Sequence, residues 1–338
     1  MMKYLLTLLF FTCAISCNAI VLPGQQQSKQ PDDPPEESNT LADFMKSPRL
    51  FNLRSKTSGG KQLWTDLRIQ DGWRIQQNIF TKHYRLLDSK DIRHEWGTFK
   101  KCEVTFKRFV EAGHIRPYKK RVIILLHGLI RARDSMDSMD KYLRGRIAGS
   151  VLNMAYASTR DTLAHHAEAL HRVLANIPTE CDISFVCHSM GNLVVRRFFH
   201  RWQDPRITRV VMLAPPNQGS ALATMFHDYQ LYETVWGISG QEITAGFGAL
   251  KTKLAVPPCE FGIIAGVYSN KIIQNHLLEG ANDLVITVAE TKLGGARDFR
   301  EVTATHTRIM AKADVQRLTY LFLQRGYFET ATTRTPLK

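Results

Sequence analysis

An α/β architecture, with a mostly parallel central sheet, helices on both faces and a small helical cap, is what this sequence predicts. Three observations carry that expectation. Val122-Ile123-Ile124-Leu125-Leu126 is apolar at every position, the pattern of a strand covered on both faces. Downstream of it apolar runs alternate with helical periodicity, as parallel strands joined by helical crossovers require. A length of 338 residues accommodates one such domain with an N-terminal extension, and leaves no room for a second large catalytic domain.

Taken in order, Met1 to Ala19 carries one Lys, the apolar run Tyr4 to Phe11 and then small residues. This is the layout of a signal peptide, and the run is too short to span a bilayer, so an extracytoplasmic protein, secreted or periplasmic, is expected. Ala14-Ile15-Ser16-Cys17 is similar to a lipobox, in which Cys17 would be lipidated and tether the chain to a membrane; cleavage near Ala19 is the alternative. Residues 20–48 are polar and Pro-rich and read as a linker. Residues 49–120 form an N-terminal extension with leading strands, at Trp73 to Gln77, Trp96 to Phe99 and Cys102 to Phe109, expected to join the main sheet antiparallel.

The core is expected over 121–328. Its strands fall at Val122 to Leu126, Ser150 to Ala155, Ile183 to Cys187, Ile207 to Leu213, Phe261 to Val267 and Phe299 to Val302. Helices fall at Asp161 to Asn176 and Met190 to Trp202, and a closing amphipathic helix runs from Thr307 to Leu323. Residues 220–258 interrupt the alternation and read as a cap over the sheet. Its apolar residues Leu222, Met225, Phe226, Tyr229, Leu231, Tyr232, Val235 and Trp236 would line an acyl pocket or simply pack.

Lys and Arg exceed Asp and Glu by 45 to 31, a net charge of +14, which favours anionic neighbours such as phospholipid headgroups or nucleic acid, with a solvated basic surface as the plainer reading. The basic residues, Lys100, Lys101, Arg196 and Arg197 among them, are dispersed. No nucleic-acid motif accompanies them, so a nucleic-acid partner is not expected, and no obligate protein partner is evident. Cys102, Cys181, Cys187 and Cys259 do not have metal-site spacing. In an oxidising compartment Cys102 and Cys259 would be the pair to form a disulfide; buried thiols are the alternative.

The chemistry lies in four segments. Cys187-His188-Ser189-Met190-Gly191 stands where a strand meets a helix, the setting in which a serine on a strained turn is lifted above the sheet as a nucleophile. His127-Gly128-Leu129 follows the first buried strand. There the N–H of Leu129, paired with that of Met190, could form an oxyanion hole, with His127 and Gly128 supporting the loop. Asp283 follows the strand at 261–267, and His306 precedes the last helix, which supplies a carboxylate to orient a general base. His83, His94, His165, His166, His171, His200, His227 and His276 lack such placement and read as structural or exposed.

From Arg121 to Tyr327 the chain resembles the α/β-hydrolase lipases and esterases, in particular the bacterial triacylglycerol lipase and GPI inositol-deacylase-like branch. The resemblance rests on Leu126-His127-Gly128-Leu129, Cys187 to Gly191, Ala214-Pro215-Pro216-Asn217-Gln218-Gly219-Ser220, Phe261 to Gly266, Asn282-Asp283 and Thr305-His306-Thr307. It departs at Cys187, where Gly is usual, and at Leu284, where Gly often follows the acid. The resemblance implies an α/β-hydrolase fold, a Ser189-His306-Asp283 triad, an acyl-enzyme mechanism on an ester or lipid substrate, and no metal or organic cofactor. An amidase or acyltransferase on the same triad and a catalytically silent binding scaffold at a membrane surface are the rival readings.

Overall fold

The computed structural model describes residue 57 and residues 61–222, 230–268, 275 and 277–338. The signal-peptide segment 1–19 with Cys17, the linker 20–48, Met225, Phe226, Tyr229, His227 and His276 lie outside the described residues.

The N-terminal part is a separate four-stranded antiparallel meander, in the order β1 (Trp64–Gln70), β2 (Trp73–Asn78), β3 (Tyr84–Leu87) and β4 (Arg93–Gly97). Helix α1 (Phe99–Glu111) covers it. Two expectations are corrected here. These strands do not join the main sheet, and Cys102 to Phe109 is helical. Cys102 and Phe106, four residues apart, are its buried positions, and Val104 between them is exposed; apolar residues four apart share one helix face. Thr98, read as strand, is the N-cap, its hydroxyl accepting the Lys101 N–H. Trp73, Ile75, Leu86, Cys102, Phe106 and Ile115 form this unit's own core.

The main sheet has six strands: β5 (Arg121–Leu126), β6 (Ser150–Met154), β7 (Asp182–His188), β8 (Ile207–Leu213), β9 (Glu260–Val267) and β10 (Asp298–Thr303). They lie in the order β6-β5-β7-β8-β9-β10, every neighbouring pair parallel. The period of two along β5 explains its unbroken apolar run. Val122, Ile124 and Leu126 join one core with α3 (Leu163–Ala175) and α4 (Met190–Arg201). Ile123 and Leu125 join the opposite core with α2 (Asp137–Arg144) and α8 (Ala313–Arg325). The closing helix begins later than expected, because residues His306–Ala311 form a 3-10 turn ahead of it. Between β8 and β9 lie α5 (Gln230–Ile243), kinked at Gly237, and α6 (Phe247–Lys251); the four-residue α7 (Val288–Thr291) precedes β10.

The strand order has a functional consequence. β5 is followed by a neighbour on one side, β6, after which the chain crosses back to β7 and continues outward through β10. The loops leaving β5 and β7 therefore part at the switch point, where open parallel sheets form their ligand crevice.

All four described cysteines are free thiols, and Cys102 and Cys259 belong to different cores, so the expected disulfide is not formed. Arg196 is also not a surface cation. It is buried within α4 and donates to carbonyls of Leu254, Ala255 and Asn217 and to the Asn217 side chain.

A buried carboxylate, ion-paired within the meander, joins it to the residue that follows β6. Asp66, fully buried, accepts from Arg74 at 3.0 Å, from Gln76 at 2.8 Å and from the Ala155 N–H at 2.8 Å, while its own N–H donates to the Ala155 carbonyl. Asp66→Ala leaves Arg74 buried and unpaired, a defect that costs about 3 kcal/mol or more, and urea unfolding should show a midpoint lowered accordingly.

Candidate active site

Ser189 sits between β7 and α4 with φ 52° and ψ −124°, a conformation that L residues rarely adopt. Close packing of α4 on β5 holds it there. A β-carbon at Gly191 would lie 2.8 Å from the Leu126 carbonyl oxygen and 2.9 Å from that of His127, so only glycine allows the helix to start at this depth. The Ser189 N–H donates to Leu213 O, and Asn192 Nδ2 donates to Ser189 O at 2.8 Å. Cys187, the departure on the other side of the serine, is completely buried within the sheet, and burial pushes its thiol well above the ordinary range. It is a packing residue.

The structure brings Ser189, His306 and Asp283 together from three loops. Ser189 Oγ lies 3.0 Å from His306 Nε2, and His306 Nδ1 lies 2.7 Å from Asp283 Oδ2. Asp283 is 1% exposed and His306 8%, so solvent weakens neither contact much. The imidazole donates Nδ1–H to the carboxylate and turns its Nε2 lone pair to the serine. The other carboxylate oxygen, Asp283 Oδ1, accepts the N–H groups of Val285 at 3.0 Å and Ile286 at 2.7 Å, and the His306 N–H donates to the Asp283 carbonyl at 2.9 Å. Acid and base are thus joined through backbone as well as side chain. Gly266, at the end of β9, permits their approach: a β-carbon there would meet Asp283 Cβ at 2.8 Å and Ala304 O at 2.9 Å. Leu284, where a glycine is more usual, takes φ 81°, and hydrogen bonds from its own N–H to Asn282 and from Asn275 to its carbonyl hold it there.

Met190 is the first residue of α4, and N–H groups in a helix's first turn have no intrahelical acceptor. Leu129 lies across from it in the loop after β5, on the other side of the switch point. A β-carbon at Gly128 would come 3.0 Å from Ser189 Cβ, so the two loops touch. His127 is fully buried and donates Nδ1–H to the Gly128 carbonyl at 2.9 Å; burial lowers its pKa to about 4.

Two participants carried no signal of their own in the sequence. His188 is buried against the nucleophile, and its Nε2–H donates to the His306 carbonyl at 2.9 Å. Burial, reinforced by the neighbouring His306 ring, keeps it neutral far below the usual histidine range. Tyr156, after β6, stacks flat on His127 with ring centres 4.0 Å apart, and its hydroxyl donates to the His127 carbonyl. His166 of α3 packs at a tilt against Tyr156 and meets Ser239 of α5 at 3.2 Å. His83, His94, His165 and His171 stand elsewhere, in ring contacts or carboxylate pairs. Among the described residues no cluster of His, Cys, Asp and Glu has the arrangement of a metal site.

No protein-family model matches the chain, and no curated protein matches it in sequence. Among solved structures it is similar to a Bacillus licheniformis lipase in its mature form, with a TM-score of 0.49 and 16% identity over 63% of this chain and 94% of the lipase. It is also similar to the phospholipase PlaB from Legionella pneumophila (TM-score 0.41, 16% identity, 51% of this chain and 45% of that one). A metagenomic carboxyl esterase gives a TM-score of 0.44 and 19% identity over 56% of this chain and 65% of its own. The chain thus spans less than half of PlaB and just under two thirds of the esterase. Such distant likenesses add little to what the chain's own topology says. Six parallel strands in this order, a serine in strained backbone between the third of them and its helix, and an acid and a base on the loops flanking the last strand make this an α/β-hydrolase fold.

Proposed function

We propose that this chain is an exported serine hydrolase that cleaves carboxylic esters through an acyl-enzyme intermediate. The observation that carries the reading is the unbroken contact chain from Ser189 Oγ through His306 to Asp283, built on a serine whose backbone is strained. A silent scaffold has no use for such strain, which persists only where the surroundings impose it.

The cycle follows from the geometry. His306 Nε2 takes the Ser189 hydroxyl proton as Oγ bonds to the ester carbonyl carbon. The electron pair of the C=O bond moves to oxygen, where the N–H groups of Leu129 and Met190 receive it. Collapse of this intermediate breaks the bond to the leaving alcohol, which takes the proton from His306. Water then enters, gives a proton to His306 and attacks the acyl carbon; collapse breaks the bond to Oγ, which takes that proton back from His306 as the acid leaves. Asp283 stays ionised throughout and stabilises the imidazolium formed twice in each cycle. Every proton moves between Ser189, His306, the ester and water.

The cap carries apolar side chains that suit an acyl group. Leu222 is buried, Trp236 is half-buried, and the Leu129 side chain reaches toward Gly240 of α5. The excess of Lys and Arg suits substrates presented at an anionic membrane surface, and the apolar segment at 1–19 with Cys17 suits delivery outside the cytoplasm.

Hydrolysis of p-nitrophenyl esters of graded chain length should show turnover that Ser189→Ala abolishes, by roughly 10⁴-fold or more, with a preference for medium or long acyl chains. Absence of turnover together with absence of Ser189 labelling by a fluorophosphonate would rule the reading out.

Acid should limit the enzyme through its fold. Burial holds His127 to about 4, His166 to about 3 and His188 well below the ordinary value of 6.5. Below pH 6.5 the unfolded chain takes up protons that the folded chain refuses, so stability declines as pH falls from about 6.5 toward 4. The urea midpoint should drop between pH 7.5 and pH 5, and His166→Gln should flatten that slope.

A further inference from the structure

We infer that Gln62 and Tyr156 are positioning residues for the oxyanion loop, so that the N-terminal meander is part of the catalytic apparatus. The inference rests on the role proposed above for the N–H of Leu129.

The loop from His127 to Ala132 needs external support. Ile130 has φ 60°, a left-handed conformation that is strained for a β-branched residue. Its internal hydrogen bonds are modest, with Arg131 N–H donating to Gly128 O at 3.3 Å and His127 Nδ1–H donating to the same carbonyl at 2.9 Å. Two side chains from outside hold its ends. At the first, the Tyr156 hydroxyl donates to the His127 carbonyl, the two rings stack at an interplanar angle of 10°, and the Tyr156 N–H approaches His127 Nε2 at 3.4 Å. This last contact requires the tautomer in which Nδ1 carries the proton, and the low pKa of the buried ring agrees with it.

At the other end Gln62 Nε2 donates to the Arg131 carbonyl at 2.8 Å and to Ser158 Oγ at 3.0 Å, while its Oε1 accepts from Thr159 N–H at 3.1 Å and Thr159 Oγ1 at 2.9 Å. All the polar capacity of one amide thus serves to tie residue 131 to residues 158 and 159. Gln62 adopts φ 58° two residues before β1. That strand secures the far side of the clamp through Asp66 to Ala155 and through Thr65 Oγ1, which accepts the Ala157 N–H. Between the clamped ends stand Gly128, Leu129 and Ile130. An oxyanion donor must be aimed to within a few tenths of an ångström, and this aim is fixed by Gln62, 69 positions before Arg131, and by Tyr156, 29 positions after His127.

The test uses the full chain and the p-nitrophenyl ester it turns over best. Gln62→Glu keeps size and shape but sets a carboxylate oxygen against the Arg131 carbonyl. Tyr156→Phe keeps the ring stack and removes the hydroxyl donor. Each should lower kcat by about 10- to 100-fold, less than the loss of an oxyanion donor itself, with KM within about twofold, and Gln62→Glu should show the larger loss. The inhibition constant of an alkylboronic acid, which becomes tetrahedral on Ser189 Oγ and places an oxygen in the hole, should rise by a similar factor. Fluorescence melting identifies the temperature range in which each variant is folded, and the kinetics are read within it. If either folded variant keeps kcat within twofold of the parent, or loses kcat with boronate affinity unchanged, the inference is overturned. A parent chain that neither hydrolyses esters nor is labelled at Ser189 instead defeats the proposed function on which it rests.

Discussion

The depth at which α4 meets β5 is the constraint on which the rest of the site depends. Gly191 lets the helix start against the Leu126 and His127 carbonyls, and the short turn that results leaves Ser189 no relaxed backbone conformation. Everything else is arranged around the hydroxyl so exposed. His306 and Asp283 reach it from the far strands β9 and β10, and Gly128 brings the loop after β5 into contact with it. The strain is affordable because a core on each face of the sheet fixes both β5 and β7.

Much of this was legible in the sequence, and the boundary of legibility has a physical basis. Strands covered on both faces leave largely continuous apolar runs, so the inner parallel strands β5, β7, β8 and β9 could be read to within a residue. Ser189, Asp283 and His306, which the structure brings together, could be picked out because a strand-to-helix serine and loop residues after strands stand out in chain order. Helix α1 could not, because Cys102, Val104 and Phe106 alternate like a strand, and only the packing reveals that Val104 faces solvent. Nor could the clamp. Gln62 and Arg131 are joined through a backbone carbonyl, which any residue would supply, and no local pattern marks a glutamine whose partners all lie far along the chain.

Composition proved a poor guide to surface. Arg74, Arg85 and Arg196 are all buried. Arg74 answers Asp66, Arg85 lies over the Trp64 ring and donates to Gln76, and Arg196 is surrounded by carbonyl oxygens. Arg121 and Arg209 both donate to the Leu323 carbonyl at the C-terminal end of α8, where positive charge opposes the helix dipole. Part of the +14 therefore serves to satisfy interior carbonyls and carboxylates. Guanidinium suits that task because its five donors can be shared among several acceptors without its losing its charge.

The Asp66 anchorage also bears on how such a chain can diverge or be recombined. The six-stranded sheet with Ser189, Asp283 and His306 begins at Arg121, yet Leu67 and Ile69 of β1 are buried in its core. A crossover at that point would import a foreign N-terminal segment while leaving Ala155, Ser158, Thr159 and Arg131 without the groups that now bond them. Shuffling within this lineage is therefore constrained to exchange the meander and the sheet together, and the two halves should drift as a coupled pair.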